Sequence, residues 1–405
     1  MSDSLKIINQ GSITSPKGFS AGASFAGINK HSPYKLDTAI LYSSAPCTTR
    51  AIYTTNKVKA APVLLCQKRL PSPCIRALVV NSGIANACTG ESGLLDAYKL
   101  TEIVSTKFDL KPDEVLSMST GVIGKRIPVN TVEKTLLDIK LDDNGGHLFA
   151  RAIMTTDTRP KEIAVKVESS AGSYTIAGAA KGAGMIAPDM ATTLCFITTD
   201  ASIEDDAIKS SLANAGCNSF NMITVDGDTS TNDILMVMAN GMAGNRVIKK
   251  GSMDYRLFKE ALMRACVFLA KCVASDGEGA TRLITVSVSG AFNLKDARMA
   301  AKTIAGSNLV KSAIHGADPN WGRIISAAGR SGARMDENIT SLKIGGIPLW
   351  KNGNILEFDL NRVRSAMMQS EVTIELDLNI GNSMATAWGC DLSEEYVTIN
   401  SEYTT

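Results

Sequence analysis

The segment Lys181–Asp200, KGAGMIAPDMATTLCFITTD, holds the residues whose types and spacing most favour chemistry. Its first half is rich in glycine and contains Pro188, a composition typical of a loop. Its second half, Ala191–Thr198, predicts a buried strand that opens with a small nucleophilic residue, Thr192. If the Ala191–Thr192 bond breaks, the new α-amine and the hydroxyl belong to the same residue. An α-amine has a pKa of about 7.7–8.0, so near neutral pH it can take the hydroxyl proton.

Thr192 has two interpretations at this point. As an N-terminal nucleophile it would need no histidine, which agrees with a chain whose three histidines form no Ser/His/Asp pattern. The alternative is an ordinary β-forming residue at the entrance of a core strand. A phosphate-binding loop is less favoured than either, because the pattern GxxxxGK[ST] is absent.

A second cluster, SMSTGVIGKR, occupies Ser117–Arg126. Small residues around Thr120 and Gly121 are expected to leave backbone N–H groups free to point at a ligand, as an oxyanion hole requires. The alternative is an ordinary turn between two elements.

Several polar segments, most of which contain glycine, follow or interrupt apolar stretches. Because binding residues concentrate on loops, their number predicts one polar pocket assembled from distant parts of the chain. The Asp-rich segment Val225–Asp233 is not predicted to bind calcium, because it lacks the full calcium-binding loop with its terminal glutamate. The segments are Asn81–Gly90, Thr155–Asp157, Val225–Asp233, Asp276–Arg282 and His315–Arg323.

Both strands and helices are predicted to position these loops. Strand-like alternation occurs at Leu283–Ser289, at Val372–Ile380 and over the short stretch Tyr396–Ile399, and Asn352-Gly353 predicts a hairpin turn. Apolar residues at steps of three and four predict helices, and the order of elements favours an α+β fold. The predicted helices are Leu94–Val104, Tyr255–Val273 and Lys295–Ala305.

Length and composition narrow the class of protein. A chain of 405 residues suggests two domains or three, and a net charge of +2 with 5% aromatic residues argues against a nucleic-acid binder. No apolar run is long enough to span a bilayer, and the first residues lack the core of a signal peptide. Nine cysteines without a CxxC pair indicate reduced thiols in a cytoplasmic protein rather than a zinc site.

Taken together, the motifs resemble the ornithine acetyltransferase family of arginine biosynthesis, also called glutamate N-acetyltransferase. The resemblance runs from Thr54 to the C-terminus. It is carried, in order, by NSGIANACTG, STGVIG, MTTDT, KGAGMIAPDMATTLCFITTDA, VDGDTSTND, DGEGATR, HGADPNWGRI and YVTINSEYTT.

The resemblance implies roles for particular residues. Cleavage between Ala191 and Thr192 would give an α chain, 1–191, and a β chain whose first residue, Thr192, is the nucleophile. Thr120 and Gly121 would form the oxyanion hole. The positions that would line the substrate site are Thr156, Lys181, Thr192, Glu278, Asn400 and Thr405.

The resemblance also implies an architecture and a reaction. The fold would be a layered α/β/β/α arrangement over residues 1–285, with a smaller C-terminal α/β domain, 286–405, whose tail returns to the active site. Two α and two β chains would form a heterotetramer. Acetyl would pass from N2-acetyl-L-ornithine to L-glutamate through an acetyl-threonine, with no metal or cofactor. Some members also use acetyl-CoA as the donor, which the sequence does not decide here.

Two other functions stay open at this stage. One is a self-processing aminopeptidase or amidase that releases the acyl group to water, and the other is a catalytically silent amino-acid-binding subunit. The chain also departs from the family at Ile84, Asp189 and Thr193. We expect the Asp189 carboxylate to slow self-cleavage, because a nearby negative charge disfavours the oxyanion that forms.

Overall fold

The computed structural model describes residues 4–28, 35–187 and 193–402. Asp189, Ala191, Thr192 and Thr405 lie outside these ranges, so the predictions made for them are not addressed by the fold. Within the described ranges, no helix is both long and apolar enough to cross a membrane.

Within the described residues, the larger sheet has nine strands in the order β1-β6-β7-β8-β9-β3-β4-β5, with β2 paired to β3. They are β1 Leu5–Ile7, β2 Phe19–Ser24, β3 Thr38–Tyr53, β4 Ser72–Asn81, β5 Val115–Ser119, β6 Lys161–Ser169, β7 Gly172–Lys181, β8 Leu194–Thr199 and β9 Ile234–Ala239.

The smaller sheet, as far as the chain is described, has six strands in the order β13-β12-β11-β14-β10-β15. They are β10 Leu283–Ala291, β11 Ser341–Ile344, β12 Ile347–Lys351, β13 Asn354–Ile355, β14 Glu371–Asp377 and β15 Ser383–Cys390.

Eleven α-helices pack on these sheets in the described part of the chain. They are α1 Ala61–Arg69, α2 Gly90–Phe108, α3 Val129–Asp138, α4 Gly146–Ala152, α5 Asp205–Asn218, α6 Met253–Ser275, α7 Leu294–Ala305, α8 Asn308–His315, α9 Trp321–Gly329, α10 Leu360–Met367 and α11 Glu394–Glu402.

The long strand β3 folds the larger sheet into two layers. Its first half pairs with β4 and its second half with β9, and the register shifts on either side of Cys47. Such bulges bend a strand. Side chains of β8 and β9 alternate between the two faces: Phe196 and Met236 pack towards β3 and β4, whereas Ile197 and Val237 pack against α5 and α6.

The opposite face of the β3–β4 layer packs against α2 and α3. The layers therefore follow the order α/β/β/α, and the predicted α+β class is confirmed. The division into 1–285 and 286–405 stays a prediction. The apolar core around α6 continues into the smaller sheet through Ile284 and Val286 of β10.

Most of the predicted elements are present. The helices predicted at 94–104, 255–273 and 295–305 correspond to α2, α6 and α7. Asn352 and Gly353 form the β12–β13 turn with φ of 51° and 78°. The strand-like alternation at Tyr396–Ile399 was misleading, because these residues belong to α11.

Candidate active site

Two loops of the candidate site follow the parallel strands β4 and β5, whose carboxyl ends lie at one edge of the sheet. Asn81 and Ser119 are paired in register there. Ser119 Oγ donates to Asn81 Oδ1 at 2.6 Å, and Asn81 Nδ2 donates to Ile84 O at 2.9 Å. These bonds fix the loop after β4 against the Thr120-Gly121 turn after β5.

The turn itself requires glycine at position 121. Gly121 has a φ of 125°, and a Cβ there would lie 2.3 Å from the carbonyl carbon of Gly83. The expectation of free backbone N–H groups holds only in part, because Thr120 N donates to Asn81 O at 3.0 Å. Within the described residues, the Gly121 N–H makes no hydrogen bond. The Gly121 N–H and the Thr120 hydroxyl are therefore the donors that the turn can offer to an oxyanion.

Lys181 ends β7 and reaches this turn. Its Nζ donates to Thr120 Oγ1 at 3.1 Å and to Thr155 Oγ1 at 2.7 Å. Among the described residues, no carboxylate forms an ion pair with it. Burial lowers the pKa of the Lys181 ammonium, against the opposing effect of Asp157. One ammonium hydrogen is left to bind a ligand.

Asp157 anchors the Thr155–Asp157 segment to the end of β7. Its carboxylate accepts hydrogen bonds from Thr155 N at 2.9 Å and from Gly182 N at 2.6 Å. Burial by itself would raise the pKa of Asp157, but the Lys161 and Lys181 ammonium groups hold it below its ordinary range. Thr155 and Thr156 are thereby placed beside Lys181.

The Val225–Asp233 loop closes another side. Asp226 accepts hydrogen bonds from Met185 N at 2.7 Å and Ile186 N at 2.9 Å, and burial raises its pKa. Asn232 Nδ2 donates to Ala85 O at 2.6 Å and to Ser119 O at 2.7 Å. This asparagine thus joins three loops of the site.

Glu278 and α11 complete the wall. The Glu278 carboxylate lies against Gly184, where a Cβ would be only 2.5 Å from either carboxylate oxygen. Asn400 Nδ2 donates to Glu278 Oε2 at 2.8 Å. Tyr396 lies one helical turn before Asn400 on the same face of α11, and burial raises its pKa to about 12.

These residues surround one cavity of about 240 Å³. It is lined by six of the residues predicted from the sequence: Thr120, Gly121, Thr156, Lys181, Glu278 and Asn400. The other three, Ala191, Thr192 and Thr405, lie outside the described residues. Thr193, the first described residue after Thr192, borders a small cavity beside Thr120 and Lys181.

The sequence did not single out every lining residue. The sequence analysis included Asp226, Asp228 and Asn232 only as members of the polar segment Val225–Asp233. It included Thr155 only as a member of Thr155–Asp157. The sequence did not indicate Tyr396, because a strand predicted at Tyr396–Ile399 hides the four-residue spacing from Asn400 that the helix α11 creates.

One of the five polar segments does not line the cavity. In His315–Arg323, His315 Nδ1 lies 2.8 Å from Asp391 Oδ2, and its carbonyl accepts from Arg282 at 2.6 Å. Asp391 Oδ1 also accepts from Thr281 N at 2.8 Å. This segment therefore supports the start of α11 and the loop that carries Glu278, rather than facing a ligand.

Charge is divided across the cavity. Among the described residues that line it, Lys181 is the cation, and Asp226, Asp228 and Glu278 are the carboxylates. Such a site suits a small zwitterionic molecule with both an acidic and a basic group. In the described ranges, no three His, Cys, Asp or Glu side chains are arranged to hold a metal ion.

Known proteins resemble this chain along its length. The model of the ArgJ family matches residues 20–405. An arginine biosynthesis bifunctional protein ArgJ from Dehalococcoides mccartyi is 53% identical, with all of both chains covered. The protein of that name from Symbiobacterium thermophilum is 46% identical over 98% of this chain and 99% of its own.

A solved structure is similar as well. The arginine biosynthesis bifunctional protein argJ from Bacillus halodurans is 46% identical with a TM-score of 0.51, and the match covers 51% of this chain and 98% of that one. The motif resemblance is thus confirmed by the family match and by close relatives of equal length. The chain belongs to the ArgJ family.

Proposed function

We propose that this protein is a self-cleaving acetyltransferase that moves acetyl from N2-acetyl-L-ornithine to L-glutamate, with Thr192 as its nucleophile. Membership of the ArgJ family supports a role in arginine biosynthesis. The observation that carries the proposal is the gathering of Thr120, Lys181, Glu278 and Asn400, from four distant segments, around one polar cavity.

Self-cleavage would create the nucleophile. A cut before Thr192 leaves 191 residues and 405 − 191 = 214 residues. The solved Bacillus halodurans chain is matched over 98% of its length by only 51% of this chain. A chain of about half length is what cleavage at this point would give, which supports processing.

The acyl transfer would then use the groups around the cavity. Thr192 Oγ attacks the acetyl carbonyl, its own α-amine takes the proton, and the Gly121 N–H and Thr120 hydroxyl donate to the oxyanion. Lys181 holds the Thr120 oxygen at 3.1 Å, which leaves the hydroxyl hydrogen free to turn towards the substrate. Ornithine leaves with the proton, and the amine of glutamate takes the acetyl group in a reversal of these steps.

The charges of the cavity suit both substrates. Each carries an α-carboxylate, which the remaining ammonium hydrogen of Lys181 can bind. The side-chain ammonium of ornithine would lie towards Glu278, whose position Asn400 fixes through the 2.8 Å hydrogen bond. Thr156 lines the same cavity.

The proposal extends to the organisation of the protein. We expect a heterotetramer of two α and two β chains in the cytoplasm, a first domain over 1–285 and a second over 286–405. The terminal residue Thr405 would complete the site, and acetyl-CoA would be a second donor if the protein has both activities.

Denaturing electrophoresis with mass spectrometry tests the central step. Wild type should give fragments of 191 and 214 residues, the second beginning Thr-Thr-Leu-Cys. Thr192→Ala should remain one chain of 42.9 kDa, whereas Thr192→Ser should still cleave because the hydroxyl is kept. Two fragments from Thr192→Ala would mean that another residue cuts the chain.

A second measurement tests the reaction. N-acetylornithine without glutamate should add one acetyl group to Thr192, and initial rates with both substrates varied should give parallel lines. Acetyl released to water would indicate an amidase instead. Binding of ornithine by an uncleaved, inactive chain would indicate the silent subunit.

A further inference from the structure

The two proposed substrates carry opposite charges on their side chains, although they share one cavity. N-acetylornithine presents an ammonium group at the end of its side chain, whereas glutamate presents a carboxylate. If the α-carboxylate of each binds Lys181, both side chains extend towards the three lining carboxylates. These are Asp226, Asp228 and Glu278, here called the carboxylate wall. The wall attracts the ammonium group and repels the carboxylate, so glutamate needs a hydrogen-bond donor there.

The carboxylate wall itself does not supply this donor. Both oxygens of Asp226 accept backbone N–H groups, from Met185 at 2.7 Å and from Ile186 at 2.9 Å. These bonds favour the ionised form, against burial, which raises the pKa of Asp226. Glu278 Oε2 accepts from Asn400 Nδ2 at 2.8 Å. An ionised carboxylate has no hydrogen to donate to another one.

Four other polar side chains that line the cavity already use their hydrogens within the protein. The amide of Asn232 donates to two backbone carbonyl oxygens, and the amide of Asn400 donates to Glu278 and to one such oxygen. The Thr231 hydroxyl donates to Asn232 Oδ1 at 2.6 Å. The Ser230 hydroxyl is hydrogen-bonded to a buried carboxylate. One of these bonds would have to break before any of the four groups could donate to a ligand.

Three further hydroxyl groups of described residues line the cavity, in addition to that of the oxyanion-hole turn. Thr155 Oγ1 accepts a hydrogen bond from Lys181 Nζ at 2.7 Å, and Thr156 follows it in the chain. These two hydroxyls therefore lie where the α-carboxylate binds. The third belongs to Tyr396, which lies on α11 one helical turn before Asn400 and thus on the face that contacts the carboxylate wall.

The phenol group of Tyr396 stays protonated beside this wall. Tyr396 is half-buried, and burial, together with the negative charges of Asp226, Glu278 and Asp228, raises its pKa to about 12. A neutral phenol has one hydrogen to donate and also accepts hydrogen bonds. It can therefore bind a carboxylate in one orientation of its hydroxyl and an ammonium group in another.

We propose that Tyr396 is a specificity-determining residue that donates a hydrogen bond to the side-chain carboxylate of glutamate. The inference rests on the proposed function, in which both substrates use the same cavity in turn. When N-acetylornithine is bound, the carboxylate wall holds its ammonium group and the phenol oxygen only adds an acceptor. When glutamate is bound, the phenol hydrogen offsets the repulsion from the wall. Loss of the hydroxyl should therefore affect the two substrates unequally.

Tyr396→Phe tests this asymmetry, because it removes the hydroxyl and keeps the ring. In a reaction through an acetyl-enzyme, kcat/KM for each substrate reports only its own half-reaction. Initial rates should show kcat/KM for glutamate falling roughly 10- to 100-fold, since a hydrogen bond to a charged group is lost. The value for N-acetylornithine should fall by no more than about fivefold, since the carboxylates still bind its ammonium group. General damage to the fold or the nucleophile would lower both values alike.

An acceptor without the side-chain carboxylate isolates the contact. L-Norvaline has the carbon chain of glutamate with a methyl group in place of that carboxylate. Wild type should prefer glutamate to L-norvaline, and Tyr396→Phe should lower kcat/KM for glutamate but leave that for L-norvaline unchanged. The control is Tyr255→Phe, at a half-buried tyrosine of α6 that does not line the cavity. It should keep the wild-type kcat/KM for all three substrates.

Two results overturn the inference while leaving the proposed function intact. One is a Tyr396→Phe protein in which kcat/KM for glutamate is unchanged, or falls only as much as that for N-acetylornithine or L-norvaline. The other is a wild-type enzyme that uses L-norvaline as well as glutamate, and this measurement applies even if Tyr396→Phe does not fold. If wild type transfers no acetyl group from N-acetylornithine to glutamate, the proposed function itself fails.

Discussion

Two buried lysines lie at the same edge of the larger sheet and have opposite surroundings. Lys161 opens β6 and lies between two carboxylates, Asp157 at 2.6 Å and Asp276 at 2.5 Å. Lys181 ends the neighbouring strand β7, one residue past the partner of Lys161, and donates to two hydroxyl groups. We call the first group, Lys161 with Asp157 and Asp276, the ion-pair cluster.

The difference distinguishes a lysine that stabilises the fold from a lysine that can bind a ligand. In the ion-pair cluster the three side chains are almost fully buried, and each charge meets an opposite one. Lys181 lies on the wall of the cavity and meets neutral oxygens, so its charge remains available to an anionic ligand. A buried lysine that is saturated by carboxylates stabilises the fold, whereas one held by hydroxyls is suited to substrate binding.

The largest effect is expected in the ion-pair cluster. Lys161→Met leaves two buried carboxylates without their cation and should lower the free energy of unfolding by about 3–5 kcal/mol. Urea unfolding measures it. The control is Lys166→Met on the same strand, whose ion pair with Glu168 is exposed; it should change stability by less than about 0.5 kcal/mol. Equal losses of stability in Lys161→Met and Lys166→Met would show that the buried ion pairs contribute no more to stability than the exposed one.

The next effect concerns the hydroxyl that Lys181 holds. Thr120→Ala should lower kcat on the order of a hundredfold or more and change KM little, because the bond strengthens only as negative charge develops. Thr120→Ser keeps the hydroxyl and should retain most activity. A raised KM with unchanged kcat would make Thr120 a substrate-binding residue and nothing more.

A smaller effect should follow from Lys181→Met. The loss of one charge-assisted hydrogen bond to the substrate carboxylate, about 1.5–3 kcal/mol, should raise KM for N-acetylornithine roughly 10- to 100-fold. The melting temperature should fall far less than in Lys161→Met, since among the described residues no carboxylate forms an ion pair with Lys181. Comparable losses of stability in the two variants would contradict the comparison.

The smallest effect is a difference in pH dependence. The pKa of Lys181 is lowered by burial in the folded protein, so below its unfolded value of about 10.4 the unfolded chain binds more protons. The contribution of Lys181 to the free energy of unfolding should therefore rise with pH from the lowered pKa up to about 10.4. Unfolding of wild type and Lys181→Met, compared between neutral and alkaline pH, should show this rise only in wild type. A parallel pH dependence would mean that the Lys181 pKa is not lowered.

Local patterns predicted much of the fold. The apolar spacing of α6 and the Asn352-Gly353 turn depend on neighbours within a few residues, so sequence reasoning found both. The alternation at Tyr396–Ile399 is too short to decide between strand and helix, and the packing of Tyr396 and Asn400 against the loop of Glu278 favours the helix.

The site could be predicted as a set of residues but not as an arrangement. The motif resemblance selected Thr120, Lys181, Glu278 and Asn400, all of which line the cavity. It gave no indication that Thr120 N is already bonded to Asn81, or that His315 faces Asp391 instead of the cavity. Hydrogen-bond partners far apart in the sequence determine both facts.

The sequence by itself determined the family, the α+β class and six residues of the cavity, because these depend on motif order and on apolar periodicity. Only the tertiary structure decided which buried groups are satisfied. Lys161 and Lys181 are residues of the same type, yet the carboxylate of Asp276, 115 residues from Lys161, pairs only with Lys161. Asp233 and Thr193 became neighbours through strand pairing across the sheet. The physical reason is that the energy of a buried charge depends on the groups within a few ångströms in space, wherever they occur along the chain.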